Sequence, residues 1–207
     1  MSRNSGKRFS PAVTVILLFG IISLLGDMVY ESARGANSQY FNLLSVSAAQ
    51  VGLVFGIGEF LGYFLRLLAG VASDKSGKHW VFIFVGYGML LVVPLMGFTM
   101  NWSILVILIL MERIGKALRN PAKDTILSGV AENQVGTGFA FGLQEALDQV
   151  GALLGPLIFT LVFSLTNQNG VAQYQLGYKL LFIPFVFLML FVLYAYRKIK
   201  SNGLDSG

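Results

Sequence analysis

The sequence predicts an all-α membrane protein of six transmembrane helices. Three observations predict it. The 207 residues are 55% hydrophobic and only 12% charged, about half the charged share of a soluble domain, and the mean hydropathy is +0.70. So few polar residues could not cover the surface of a water-soluble protein of this size. Apolar runs of about 20 residues, the length that crosses a bilayer, recur six times. The connectors between them are short, and lysine and arginine gather on alternate ones.

The elements follow in order. The first run covers residues 11–35 and is preceded by basic Arg3, Lys7 and Arg8; with no small-residue cleavage pattern after it, it reads as a retained span. NLLSVSAAQ leads to the second run, 47–72, and SDKSGKH to the third, 79–99. TMNW joins the third to the fourth, 102–120; Asn101-Trp102-Ser103 fits a glycosylation sequon there, in a turn too tight to use it. The longest connector, AKDTILSGVAENQVGTG, precedes the fifth run, 138–164. TNQNGVAQYQ precedes the sixth, 176–196. Residues 1–10 and 198–207 read as tails flanking one domain, 11–197. In lipid each run must be helical, because nothing else satisfies its backbone outside a barrel. One side collects Arg3, Lys7, Arg8, Lys75, Lys78, Arg119, Lys123, Arg197, Lys198 and Lys200, and the other only Lys179. That bias puts both termini in the cytoplasm of an inner or plasma membrane.

Several functions are disfavoured. The absence of cysteine removes disulfides and thiolate chemistry, and the single histidine, His79, argues against a metal site. The net charge of +5 is spent on topology, so no nucleic acid is expected. No cofactor is expected either, and no phosphate-binding loop suggests an ATP-driven pump. Leu25-Gly26-Asp27 lacks the flanks of an intramembrane aspartyl protease. The chain is not expected to be an enzyme.

The spans nonetheless carry charge. Asp27, Glu31, Glu59, Glu112, Glu145 and Asp148 fall inside them, with Arg34, Arg66, Arg113 and Lys116. Each such charge costs about 2.5–3.5 kcal/mol at the bilayer centre, and such residues face a bundle interior or a watery path. Asp27, Glu31 and Arg34 share an arc of roughly 60° on one helix. Glu145 and Asp148 share a face, and Glu112 and Lys116 are placed to pair. Internal ion pairing accounts for Arg66, Glu112 and Lys116. Asp27, Glu59 and Asp148 are as well suited to a cavity that binds and releases protons, since protonation removes a charge that low dielectric disfavours. The spacing leaves open whether Arg34 neutralises Glu31, which would free Asp27. Gly52/Gly56, Gly58/Gly62, Gly138/Gly142 and Gly151/Gly155 are four apart, which suits close helix packing.

Gly70-Val-Ala-Ser-Asp74-Lys75-Ser-Gly77-Lys78-His79 resembles the signature loop of the major facilitator superfamily, with His79 in place of the final basic residue. Gly151-Ala-Leu-Leu-Gly155-Pro156 is similar to the core of that superfamily's antiporter motif, without its last glycine pair. Arg113-Ile-Gly-Lys116-Ala resembles its fourth-span motif in the arginine alone. The resemblance runs over about residues 10–197 but covers half of a typical twelve-span member. It implies the N-terminal six-helix half of a major-facilitator fold. Such a chain is a half-size protein that dimerises, one chain of a split transporter, or a truncated form. The family implies a secondary transporter moving a small solute by alternating access. Its partners would be the lipid bilayer and a second six-helix unit, and its coupling-ion candidate is H⁺. Gly70, Asp74, Lys75, Gly77, Lys78 and Arg113 would form a conformational charge network, and Gly151, Gly155 and Pro156 a packing motif. Asp27, Glu31, Arg34, Glu59, Glu145 and Asp148 are the pathway candidates, from span position rather than from the family. The competing reading is a non-transporting membrane subunit that binds and regulates a partner.

Overall fold

The computed structural model describes residues 11–132, 135–167 and 170–201, and every regular element among them is helical. Helix α1 covers Pro11–Leu43, opening on a proline that a first turn tolerates because its N–H would be unpaired there anyway. Helix α2, Ala48–Ser76, begins with a reciprocal cap: Ser47 Oγ accepts from the Gln50 N–H at 3.3 Å, and the Ser47 N–H donates to Gln50 Oε1 at 3.1 Å. It ends at Gly77, whose φ of 62° is cheap only for glycine and lets its N–H reach the Ser73 carbonyl at 3.0 Å. Helices α3 (His79–Gly88) and α4 (Val92–Leu95) are joined and followed by 3₁₀ turns at Met89–Leu91 and Met96–Phe98, making one rod. Helix α5 covers Trp102–Glu132 and α6 Thr137–Leu165. Helices α7 (Val171–Leu180) and α8 (Phe182–Ser201) follow end to end.

Among the described residues five stretches are long and apolar enough to cross a membrane: Ala12–Leu43, Ala48–Ser76, His79–Phe98, Thr137–Leu165 and Val171–Ser201. Six were expected. The missing one is the fourth run, which lies in α5. Its first ten residues are apolar, but Glu112, Arg113, Lys116, Arg119, Lys123 and Asp124 follow. The charges do not end that helix. It runs on through Pro121 to Glu132, so most of the long connector expected at 122–138 is helix. The first span likewise runs on to Leu43, and the sixth element starts at Val171 rather than 176. The expected tails fall mainly outside the described residues.

Helix α1 is the central strut, packed most extensively on α6 and also on α8 and α5, while α5 packs on α2 and α3. The register is legible from the small residues. Gly151 of α6 rests on Leu24 of α1, and Gly155 on Met28, so α1 and α6 run parallel. Gly58 of α2 meets Leu110 and Arg113 of α5, and Gly70 meets Pro121, so α2 and α5 also run parallel at one depth. The other predicted glycine faces do not pack this way: a Cβ at Gly52, Gly56, Gly62, Gly138 or Gly142 would meet nothing within 4 Å. The outer faces of α2 and α6 are apolar instead, with Leu53, Phe60, Leu67, Leu153 and Leu161 all more than half exposed, as a lipid-facing surface requires.

At the end of the bundle holding the α1–α2 turn, aromatic residues lock α1 to α7. The fully buried Tyr178 packs on Tyr40 and Phe159 at 5.2 Å between ring centroids in each case, and its hydroxyl donates to Asn37 Oδ1 at 2.6 Å. Replacing Tyr178 by phenylalanine leaves Asn37, itself 6% exposed, with an unsatisfied oxygen. The expected loss is about 1–3 kcal/mol, measurable by titrating the purified chain with denaturing detergent; an unchanged midpoint would show that Asn37 finds another donor. At the opposite end, His79 Nδ1 lies 2.7 Å from Ser73 Oγ and is buried. A structural hydrogen bond therefore occupies the one histidine.

Candidate functional site

The charges converge on one side of the bundle because each helix contributes a stripe at helical spacing. On α1 the stripe is Ser23, Asp27, Tyr30, Glu31 and Arg34; on α2 it is Glu59, Gly62, Tyr63 and Arg66. On α5 it is Arg113, Lys116, Asn120 and Lys123, and on α6 Gln144, Glu145 and Asp148. Residues three and four apart lie one above another on a helix. Four such stripes turned toward one flank line two adjoining pockets of about 560 and 390 Å³. Arg66, Lys116 and Asn120 line both and form the wall between them.

The first pocket is bounded by α1, α2 and α5. The Arg113 guanidinium is its anchor. It donates to Glu59 Oε1 at 2.6 Å, to the Tyr30 hydroxyl, and lies 3.5 Å from Glu112. Arg113 and Glu112 are both buried, at 8% and 6% exposed, whereas the Glu59 side chain is 46% exposed. Lys116 sets its ammonium 3.7 Å from the centroid of the Tyr30 ring, a cation–π contact that partly replaces water. The expected Glu112–Lys116 pair therefore does not form: Arg113 takes Glu112, and Tyr30 takes Lys116.

The second pocket lies between α1, α5 and α6. Asp27, Glu31, Asp124, Glu145 and Asp148 line it, faced by Lys116, Arg119 and Lys123. Lys123 reaches across to donate to Ser23 Oγ at 2.7 Å, and Arg119 lies over the Tyr87 ring at 4.8 Å. Both are buried, at 5% and 2% exposed. Lys123, expected in the connector at 122–138, thus lies in α5, and Arg119 lies in the fourth run as expected. Gln144 Oε1 and Asp148 Oδ1 are buried with no hydrogen-bond partner among the described residues.

The six residues expected on the pathway all line these pockets, Arg34 and Glu59 the first and Asp27, Glu31, Glu145 and Asp148 the second. Arg34 does pair with Glu31, at 3.4 Å, though its side chain is 60% exposed. Gln149 donates to Glu145 at 2.7 Å. The expected charge network is divided. Asp74 lies at the far end of α2, its Oδ1 3.4 Å from the Thr125 hydroxyl oxygen of α5. Arg113 sits twelve residues before Thr125 on α5, about 18 Å along the axis, and turns to Glu59 instead. Lys75 and Lys78 are exposed beside the turn. Gly151 and Gly155 do seat α6 on α1. Sequence reasoning passed over Ser23, Tyr30, Tyr63 and Asn120, did not place Arg119 in a pocket, and put Lys123 in a connector.

A family model described as the Major Facilitator Superfamily matches residues 9–205. The chain belongs to that superfamily. An uncharacterized MFS-type transporter of Methanocaldococcus jannaschii is 33% identical over 159 residues, 76% of this chain and 39% of its own length. Uncharacterized proteins of Mycobacterium tuberculosis and Mycobacterium bovis are 40% identical over 153 residues, 73% of this chain and 37% of theirs. The matched part thus spans well under half the length of these curated relatives. No solved structure matches the chain. In this superfamily member the charged stripes are polar side chains gathered on one flank of an otherwise apolar multi-pass helical bundle.

Proposed function

We propose that this chain is one half of a secondary active transporter that moves a small solute by alternating access. Residues 11–197 would act as one six-helix unit with both termini cytoplasmic, paired with a second such unit to close the cavity. The observation that carries the reading is the pair of polar pockets on one flank, built from four helices of which α2 and α6 turn apolar faces outward. Charges are costly at membrane depth and are kept where a watery path needs them. Helix α5 supports the sixth crossing: it runs parallel to α2 from Gly58 against Leu110 to Asp74 against Thr125, and α2 is itself long and apolar enough to span. Its charges turn inward, which is how a helix too polar to face lipid can still cross.

The proton is the favoured coupling ion, with Asp148 and Asp27 as its carriers. Asp148 has a buried oxygen without a hydrogen-bond partner, so protonation would remove a charge that its surroundings do not fully compensate. The test is flux into proteoliposomes under an imposed pH gradient, across a panel of organic solutes. The expected result is gradient-driven uptake that Asp148→Asn uncouples by at least about tenfold. Gradient-driven uptake by vesicles holding single, unpaired six-helix chains would defeat the two-unit model. Uptake by the Asp148→Asn protein that still follows the gradient would remove Asp148 from the coupling.

A further inference from the structure

We propose that the 560 Å³ pocket binds a small organic anion, a carboxylate or phosphate on a planar apolar body, with Arg66 and Lys116 holding the charge. This names a substrate class for the transport reading above and rests on it. The argument is a count of unspent charge. Four cations line the pocket, Arg34, Arg66, Arg113 and Lys116, against one carboxylate, Glu59. Two of the four are ion-paired, Arg113 with Glu59 at 2.6 Å and Arg34 with Glu31 at 3.4 Å, while Lys116 rests on the neutral Tyr30 ring, which leaves its charge without a carboxylate partner. Arg66 and Lys116 have no carboxylate within ion-pairing distance among the described residues. The carboxylates whose fields reach them, Asp27, Glu31 and Glu112 at Lys116 and Asp124 at Arg66, stand outside the first pocket's lining; Asp27, Glu31 and Asp124 lie across the shared wall in the second pocket.

Two unpaired cations on one wall repel each other unless an anion comes between them, and the attraction grows as water is excluded. A cationic solute would meet this wall with only an already-paired Glu59 to receive it. A zwitterion would find no free carboxylate for its positive end in this pocket's own lining, only across the shared wall in the second. The rest of the lining describes the body of the ligand. Tyr63 is 70% exposed and lies one turn from Arg66 on the same face of α2. Gly62 beside it adds no side chain and meets nothing within 4 Å, so a flat group can lie against the Tyr63 ring. The volume is in the range that holds a small organic ligand.

The test uses the full chain in phosphatidylcholine nanodiscs and equilibrium dialysis of radiolabelled benzoate, with phenyl phosphate and benzylamine as competitors. Benzoate is expected to bind, phenyl phosphate to displace it, and benzylamine not to. Arg66→Gln and Lys116→Gln should each weaken benzoate about tenfold, Lys116→Arg should largely restore it, and Lys200→Gln at the chain end should change nothing. Arg66 is exposed, so its variant tests the site even where Lys116→Gln fails to fold. Displacement by benzylamine, no binding of either anion, or binding indifferent to both glutamine variants overturns the proposal. So does binding of phosphatidylglycerol in mixed-lipid discs without binding of benzoate, which would make the site one for a lipid headgroup. Benzoate binding without gradient-driven flux would sink the transport reading and leave the anion site standing. Flux of cations alone would do the reverse.

Discussion

Replacing Arg113 by glutamine should cost about 3–5 kcal/mol of folding stability, the range seen when one partner of a buried ion pair is removed. The reason is Glu112 more than Glu59. The Glu59 side chain is 46% exposed and can recover water, so its loss of a partner counts for little. Glu112 is 6% exposed, its only ion-pairing cation among the described residues is Arg113 at 3.5 Å, and its Oε1 already lacks a partner. Glutamine at 113 would strand that carboxylate and the Tyr30 hydroxyl together. Glu112 can escape part of the penalty by taking up a proton, so the loss should be smaller in acid. Detergent-denaturant unfolding of Arg113→Gln, Glu112→Gln and the double variant checks the account. The double variant should be more stable than Arg113→Gln alone, because it removes the stranded charge. Equal stability would mean that Arg113 acts through its packing on Gly58 and not through its charge. Arg113→Lys should recover only part of the loss, since an ammonium lacks the planar fork that serves three partners at once.

The pairing pattern shows where a sequence speaks and where it is silent. Asp27, Glu31, Glu145 and Asp148 could be found because helical spacing alone places each pair on one face, and the apolar surroundings make each charge conspicuous. Partner choice could not be read. Glu112 and Lys116 have ideal spacing along their own helix, yet Tyr30 from α1 and Arg113 next door take their places, and only tertiary packing decides that. Arg119 and Lys123 were lost for a different reason. Proline at 121 and a run of charge look like a helix end followed by a cytoplasmic loop. In the fold the helix absorbs the proline at the cost of one backbone hydrogen bond, the one its missing N–H would have given to the carbonyl of Ala117, and the Thr125 hydroxyl donates to the Pro121 carbonyl at 3.1 Å. The clue lay in the register: Lys116, Arg119 or Asn120, and Lys123 continue one stripe past the proline. Pro121 also has a use, since its ring fills the space beside Gly70 of α2.

Gly151→Leu should abolish the folded bundle, and Gly151→Ala should cost about 1–3 kcal/mol through overpacking. The close approach of α1 and α6 is what seats the second pocket, because it sets Gln144 and Asp148, two turns and one turn before Gly151, in one lining with Ser23 and Asp27. A Cβ at 151 would run into the Leu24 carbonyl, and one at Gly155 would stand 2.5 Å from the Met28 carbonyl oxygen. Both obstacles are backbone, which cannot turn aside as a side chain could. The helices must move apart, and the contacts that hold them in lipid are mostly van der Waals and fall off steeply with distance. The same helix supplies the control. Gly138 and Gly142 have nothing within 4 Å of a Cβ, and alanine there gains about 0.5–1 kcal/mol from helix propensity. Opposite signs are therefore expected for one substitution at two places on one helix: Gly142→Ala raises the unfolding midpoint and Gly151→Ala lowers it. If Gly151→Ala also raised it, the close α1–α6 contact would not be what holds the pocket walls together. The effect should carry into function as well, with Gly151→Ala weakening the coupling of uptake to the pH gradient more than its stability loss alone explains, because a wider α1–α6 gap pulls Asp148 away from Ser23 and Asp27.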